Sequence, residues 1–277
     1  MSTSPPSRVG STDSESNPPP RRSHLPIDSY NLDEFLLLRV PTIPSYIASG
    51  LLQFDSKMML YGDPKTFKSI ASIQLALCLN TGTPWLGFST AKARTMYLQA
   101  ELSNFDLQVR LRSMRQQVSQ NPNLTPADII IVTGSPKLDT KLGREELRGL
   151  ILKHHPHVII IDPLYKFVTA GGSVPEFISA TQDTIDELIN LYHVSFVIVH
   201  HTRKPFVDGS GKIIRHGALD MRDSRLWEMW AQTIIGIYGD INTDTRTMEF
   251  ETRSSAVLLQ PRTLRFDRQK VWLDVVP

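Results

Sequence analysis

Cysteine is almost missing from this chain: Cys78 is the single one in 277 residues. One thiol excludes an internal disulfide framework and a cysteine-based zinc site, and it fits a reducing compartment. No apolar run approaches the ~18 residues of a membrane span, and the N-terminus has no apolar core of a signal peptide. A cytoplasmic protein without membrane contact is therefore expected. Charge of one sign is lacking too. With 30 Lys and Arg against 28 Asp and Glu, the formal net charge is +2 and the pI is near 8.6. Bulk attraction does not demand a nucleic-acid partner, so any such partner must be read from where the charges sit. There is no internal repeat and no helix-turn-helix or zinc module.

What is present reads as two regions. "MSTSPPSRVGSTDSESNPPPRRSH" (1–24) is Ser, Pro and Arg with almost nothing to bury. Residues 1–30 are expected to be a disordered tail, in which Arg21 and Arg22 form a short basic pair. From residue 31 to 277 apolar segments alternate in type. Strand-like "KMMLYG" (57–62), "ARTMYLQAE" (93–101), "DIIIVTG" (128–134), "HVIIID" (157–162) and "VSFVIVHH" (194–201) are separated by segments of helical spacing at 69–82, 103–120, 144–155 and 175–193. Strands joined through helices imply crossover units and a mostly parallel sheet flanked by helices, an α/β fold. After Asp223, short strands at 232–240, 245–253 and 262–276 read as an antiparallel C-terminal extension of that sheet. No linker separates two cores, so one domain is expected over 31–277.

The chemistry starts at "GDPKTFKSI", Gly62, Asp63, Pro64, Lys65, Thr66, Phe67, Lys68, Ser69 and Ile70. A loop between strand and helix binds phosphate because the first helical N–H groups have no partner and the helix dipole is positive there. Gly62 leaves the strand, Lys68 can reach the β- and γ-phosphates, and Ser69 can offer its hydroxyl to Mg²⁺. Phe67 stands where such loops usually carry glycine, which lets the backbone wrap closely around phosphate. A non-glycine residue fits there if its φ is negative and its side chain points away. The competing reading is a Gly62 that merely ends a strand beside a solvated Lys68.

Three further strand ends weigh against that. Asp162 closes "HVIIID", where open parallel sheets bind ligands, and its carboxylate can hold a Mg²⁺-bound water. Glu101 follows "TMYLQA" and is placed to polarise an attacking water. "FVIVHHTRK" ends with His200, His201, Arg203 and Lys204, and an imidazole there could donate to a γ-phosphate. Each has a bland alternative, but together they read as a Mg²⁺–ATP site.

These residues resemble the RecA-like ATPases, and more closely the plasmid RepA-type hexameric replicative helicases and their bacterial and phage relatives. That branch commonly carries "PKS(G/F)KS"-type loops, which "PKTFKS" fits. The likeness continues through "TGTPWLGF" (81–88), "AELSNFDLQVRLRSM" (100–114), "IIIDPLYKF" (160–167) and "VIVHHTRK" (197–204). The resemblance implies a RecA-like P-loop core with Lys68 and Ser69 as the phosphate-loop residues, Glu101 as catalytic glutamate and Asp162 as the second acidic motif. It places His201 at the γ-phosphate sensor. Arg253 is its first candidate for a finger inserted into a neighbouring subunit's site, and Arg225 its second, which implies a homo-oligomer, a hexameric ring above all.

The segment 203–225 is rich in Gly and polar residues and holds Arg203, Lys204, Lys212 and Arg215. By the same resemblance it would line a channel for single-stranded DNA, with basic residues on phosphates. Asp208, Asp220 and Asp223 partly offset them, and aromatics for base stacking are sparse. The implied activity is a Mg-dependent ATP hydrolase serving as a helicase-like motor in plasmid, phage or mobile-element replication or maintenance. An oligomeric ATP-dependent switch, a P-loop phosphotransferase with 203–225 as a lid, and a nucleotide-binding module with impaired turnover remain open.

Overall fold

The computed structural model describes residues 29–38, 44–118, 129–169, 174–203, 206–207, 209, 213–215, 217–221, 224–253 and 258–277. The expected tail up to residue 28 and the proposed DNA contacts Lys204 and Lys212 lie outside them. The chain divides into two units, 1–40 and 41–277. In the first, α1 (Leu32–Leu37) starts at a capping box in which Asn31 accepts from the Glu34 amide and Glu34 accepts from the Asn31 amide, both at 2.9 Å.

In the second unit β1 (Ser45–Ile47) and β2 (Leu52–Gln53) form a small antiparallel pair. Then come β3 (Lys57–Gly62), α2 (Lys68–Thr81), β4 (Thr95–Gln99), α3 (Asn104–Val118), β5 (Ile129–Val132), α4 (Lys141–His154), β6 (Val158–Asp162), α5 (Val174–Tyr192) and β7 (Ser195–His201). A short pair, β8 (Phe206–Val207) and β9 (Ile213–Ile214), precedes α6 (Ser224–Trp230). β10 (Thr233–Tyr238), β11 (Thr245–Thr252), β12 (Arg262–Asp267) and β13 (Trp272–Val276) follow.

Among the described residues, nine strands form one sheet in the order β13-β12-β11-β10-β3-β7-β6-β4-β5. Neighbours from β10 to β5 are parallel, and β11, β12 and β13 are antiparallel. This is the α/β arrangement read from the sequence, with one correction. The segment 232–240 was expected in the antiparallel extension, yet β10 runs parallel to β3, with Thr233 opposite Met58 and Ile237 opposite Gly62. The reason is the long crossover from His201 through α6, which carries the chain back to the starting end of the sheet. α4 also begins earlier than its apolar pattern suggests, because Thr140 caps it by accepting from the Gly143 amide at 3.1 Å.

Strand alternation splits the core in two. Met58, Leu60, Ile160, Val197 and Val199 face α2 and α3. Met59, Tyr61, Ile159, Ile161 and Ile198 face the other way, onto α4 and α5. Eight of the 14 residues of α2 are apolar, and every residue in it except Ser69 is buried. That is why it can sit against the sheet, under α3 and β13. The C-terminal ends of β3, β7, β6 and β4 are thereby brought side by side at one edge of the sheet.

Candidate functional site

Gly62 ends β3 beside β10, and a Cβ there would fall on the carbonyl oxygen of Ile237. The loop that follows turns through left-handed conformations at Lys65 (φ 66°) and Phe67 (φ 68°), neither a glycine. A negative φ was expected to make Phe67 acceptable. The structure instead keeps the conformation a glycine would take and places Phe67 in it, at a cost of about 1–2 kcal/mol. Packing offsets that cost: the ring stacks on Phe266 at 4.3 Å between centroids, and the Arg246 guanidinium lies 4.4 Å from its centre. Alternating left- and right-handed residues form the concave backbone that binds anions.

Lys68, the first residue of α2, is buried and donates from Nζ to the Asp63 carbonyl at 2.5 Å. Burial pulls its pKa down to about 8, although Asp162, Asp63 and Glu101 oppose this. A buried ammonium with a depressed pKa is short of negative charge, which a polyphosphate supplies.

Asp162, at the end of β6, is also buried. Ser69 donates to it at 3.1 Å, Ser72 at 2.9 Å and Tyr97 at 2.5 Å. Burial pushes its carboxyl above the usual range, and these three hydroxyls act against the rise. Glu101 lies just beyond β4 and accepts from the Tyr165 hydroxyl at 2.8 Å. The Tyr165 ring in turn sits 5.4 Å from that of His201, the last residue of β7. A cleft of about 360 Å³ is lined by residues 64–70 together with Glu101, Arg110, Asp162, Val199 and His201.

The structure thus brings Lys68, Ser69, Glu101, Asp162 and His201 around one cleft. Asp63 stands slightly apart. Its carboxylate accepts from Thr202 at 2.6 Å and from both terminal nitrogens of Arg215. Burial alone would raise its pKa, but the hydrogen bonds from Arg215 and Thr202 outweigh it and hold the carboxyl below its ordinary value. Arg215, a proposed DNA contact, is therefore engaged with the phosphate loop. Arg203 is exposed, with its amide on the Asp220 carbonyl.

Arg253 is exposed and donates to the Glu228 carbonyl at 2.7 Å. Its amide bonds Gln232, whose own amide bonds Lys57, at the starting end of β3. Five residue steps along β3 separate that end from Gly62, about 17 Å, which an arginine side chain does not span. Arg225 is exposed on α6. Neither arginine lines the cleft of its own chain.

Sequence reasoning missed Arg110, Ser72, Tyr97, Tyr165 and Arg246. Ser72 is readable in hindsight, one helical turn after Ser69, and Arg246 shares the inward phase of Met248 along β11. Nothing local marks the others. The acidic and hydroxyl oxygens of Asp162 and Ser69 form a hard donor pair of the kind Mg²⁺ takes, and the space before them is open to the cleft. Among the described residues no cluster of His, Cys, Asp or Glu could cage a metal by itself, and no helix is long and apolar enough to cross a membrane.

Residues 19–206 match the model of a family described as the AAA domain. No curated protein matches the chain. Among solved structures it is similar to a KaiC-like protein from the hyperthermophilic archaeon Pyrococcus horikoshii OT3, with a TM-score of 0.56 at 13% identity, over 85% of this chain and 96% of that one. That likeness concerns the fold. With a family match over more than half of its length, the chain belongs to the AAA domain family, on a RecA-like P-loop ATPase fold.

Proposed function

We propose that the protein is a Mg-dependent ATP hydrolase that works as a homo-oligomeric, DNA-stimulated motor of the RepA-like kind. The observation that carries the ATPase reading is the convergence of Lys68, the Ser69–Asp162 pair, Glu101 and His201 at four adjacent strand ends around one cleft. Lys68 and the loop amides of residues 64–69 bind the β- and γ-phosphates. Ser69 and Asp162 would hold Mg²⁺, which would neutralise charge on the phosphates. Once Tyr165 releases it, Glu101 accepts a proton from the attacking water as that water's oxygen bonds the γ-phosphorus and the bond to the β-phosphate oxygen breaks, with ADP leaving; His201 contacts the γ-phosphate. Arg253, out of reach of its own site, completes that of a neighbour.

The DNA-binding part rests on the resemblance and on one contact, Arg215 with Asp63, which ties the segment after β7 to the phosphate loop. The same contact also favours a second reading, an oligomeric ATP-dependent switch or recruitment factor that does not unwind DNA. A cytoplasmic place in plasmid, phage or mobile-element replication or maintenance goes with the motor reading.

Both readings are separated by ATP hydrolysis measured with and without single-stranded DNA, for wild type beside Lys68→Ala and Arg253→Ala. Stimulation by DNA, lost in both variants, is expected for the motor. Hydrolysis that needs Lys68 but ignores DNA and Arg253 would leave the switch. Transfer to a small-molecule acceptor in place of water would mean a phosphotransferase, and ATP binding without turnover an interaction module.

A further inference from the structure

Phe67 occupies a backbone conformation that side chains rarely adopt, at φ 68° in the phosphate loop. What holds it there comes from far along the chain. Arg246, on β11, is buried to 1% exposure. One of its terminal nitrogens donates to the carbonyls of Asp240 at 2.9 Å, Thr243 at 2.9 Å and Thr245 at 2.7 Å, which pins the guanidinium in place. The other donates to the carbonyl of Lys65 at 3.2 Å, across 181 positions of sequence. The guanidinium plane then lies over the Phe67 ring, with Phe266 stacked against that ring. The Phe266 amide is itself fixed to the Asp244 carbonyl at 2.8 Å. Both left-handed residues of the loop, 65 and 67, are therefore gripped by one arginine: one through its carbonyl, the other through its ring.

We propose that Arg246 is a positioning residue for nucleotide binding, holding the phosphate loop in its phosphate-ready shape by gripping Phe67 and the Lys65 carbonyl. The loop has given up the glycine that would adopt this shape freely, and the antiparallel extension supplies the constraint instead. The inference rests on the nucleotide site described above. It assigns the C-terminal strands a role in binding: a ligand or partner that moves the turn 239–244 would loosen the grip on phosphate.

The test is a binding titration with a fluorescent ATP analogue and Mg²⁺, read beside thermal melts at a temperature where every variant is folded. The variants are Phe67→Leu, Phe67→Gly, Arg246→Met, Arg246→Lys and the double Phe67→Gly/Arg246→Met, with Lys68→Ala as reference. Phe67→Leu keeps the strained backbone but loses the aromatic face, and is expected to bind the analogue roughly tenfold more weakly. Arg246→Met should lose about as much, and Arg246→Lys should recover part of it, since an ammonium can donate to Lys65 but cannot stack. In the Phe67→Gly background the backbone no longer needs the ring, so removing Arg246 should there cost less than about threefold. Equal losses from Arg246→Met in both backgrounds, or wild-type affinity in Phe67→Leu, would overturn the proposal. Wild type that binds no analogue, or binds it equally well after Lys68→Ala, would instead sink the nucleotide site itself. Should Arg246→Met fail to fold, Phe67→Leu against Phe67→Gly decides alone: equal affinities refute the grip.

Discussion

At the scale of the residue, Lys68 makes the sharpest forecast. With its pKa near 8 in the free protein, the ammonium is present at neutral pH and lost above it. Bound phosphates favour the charged form, so nucleotide binding should take up a proton at pH 8 to 9. ATP affinity is expected to be flat below about pH 7 and to fall by up to tenfold per unit above 8. Stability of the free protein should move the other way. A cation whose folded pKa lies below its unfolded value adds a penalty that is full below pH 8 and fades as pH rises toward 10.5. Calorimetry in buffers of different ionisation enthalpy reads the proton uptake, and Lys68→Met should abolish it. Lys68, Ser69, Asp162 and Glu101 were legible because strand ends and a loop spacing point to them. Tyr97 and Tyr165 were not, since an isolated tyrosine carries no spacing that reveals which carboxylate it will meet.

Elements were read well where periodicity was strong and less well where tertiary contacts decided. The buried β6 announces itself as "VIIID" and forms over those residues. β10 reads equally well as a strand, but its direction depends on a crossover whose course no local pattern states. Its close approach explains Gly62 more tightly than loop chemistry does. Gly62→Ala should push β3 and β10 apart, with the new methyl meeting the Ile237 carbonyl and lying 2.9 Å from the Thr66 hydroxyl. A loss of about 1–3 kcal/mol in urea unfolding is expected, together with weaker ATP binding. An unchanged urea midpoint would mean that the two strands can part without cost.

On the scale of the whole molecule the open quantity is the neighbour. Arg253 lies at the far end of the sheet from its own cleft, so its use in catalysis requires a head-to-tail contact between chains. Mixing Lys68→Ala with Arg253→Ala chains tests this directly. Each variant should be inactive alone. A mixed assembly should regain activity at the interfaces that join an intact phosphate loop to an intact finger, about a quarter of them in an equal random mixture. No recovery from a mixture shown to co-assemble would remove Arg253 from the site.

The sequence by itself determined the α/β class, the strand that leads into the phosphate loop, and the acidic groups that face it. These follow from hydrophobic period and from chemistry local to a few positions. Tertiary structure alone decided how a phenylalanine can replace the loop's glycine, where Arg215 and Arg246 spend their charge, and which way β10 runs. Each of those depends on at least one contact between residues more than a hundred positions apart, such as Arg215 with Asp63 and Arg246 with Lys65. No local propensity encodes such contacts, because their energy exists only once the sheet has brought the two segments together.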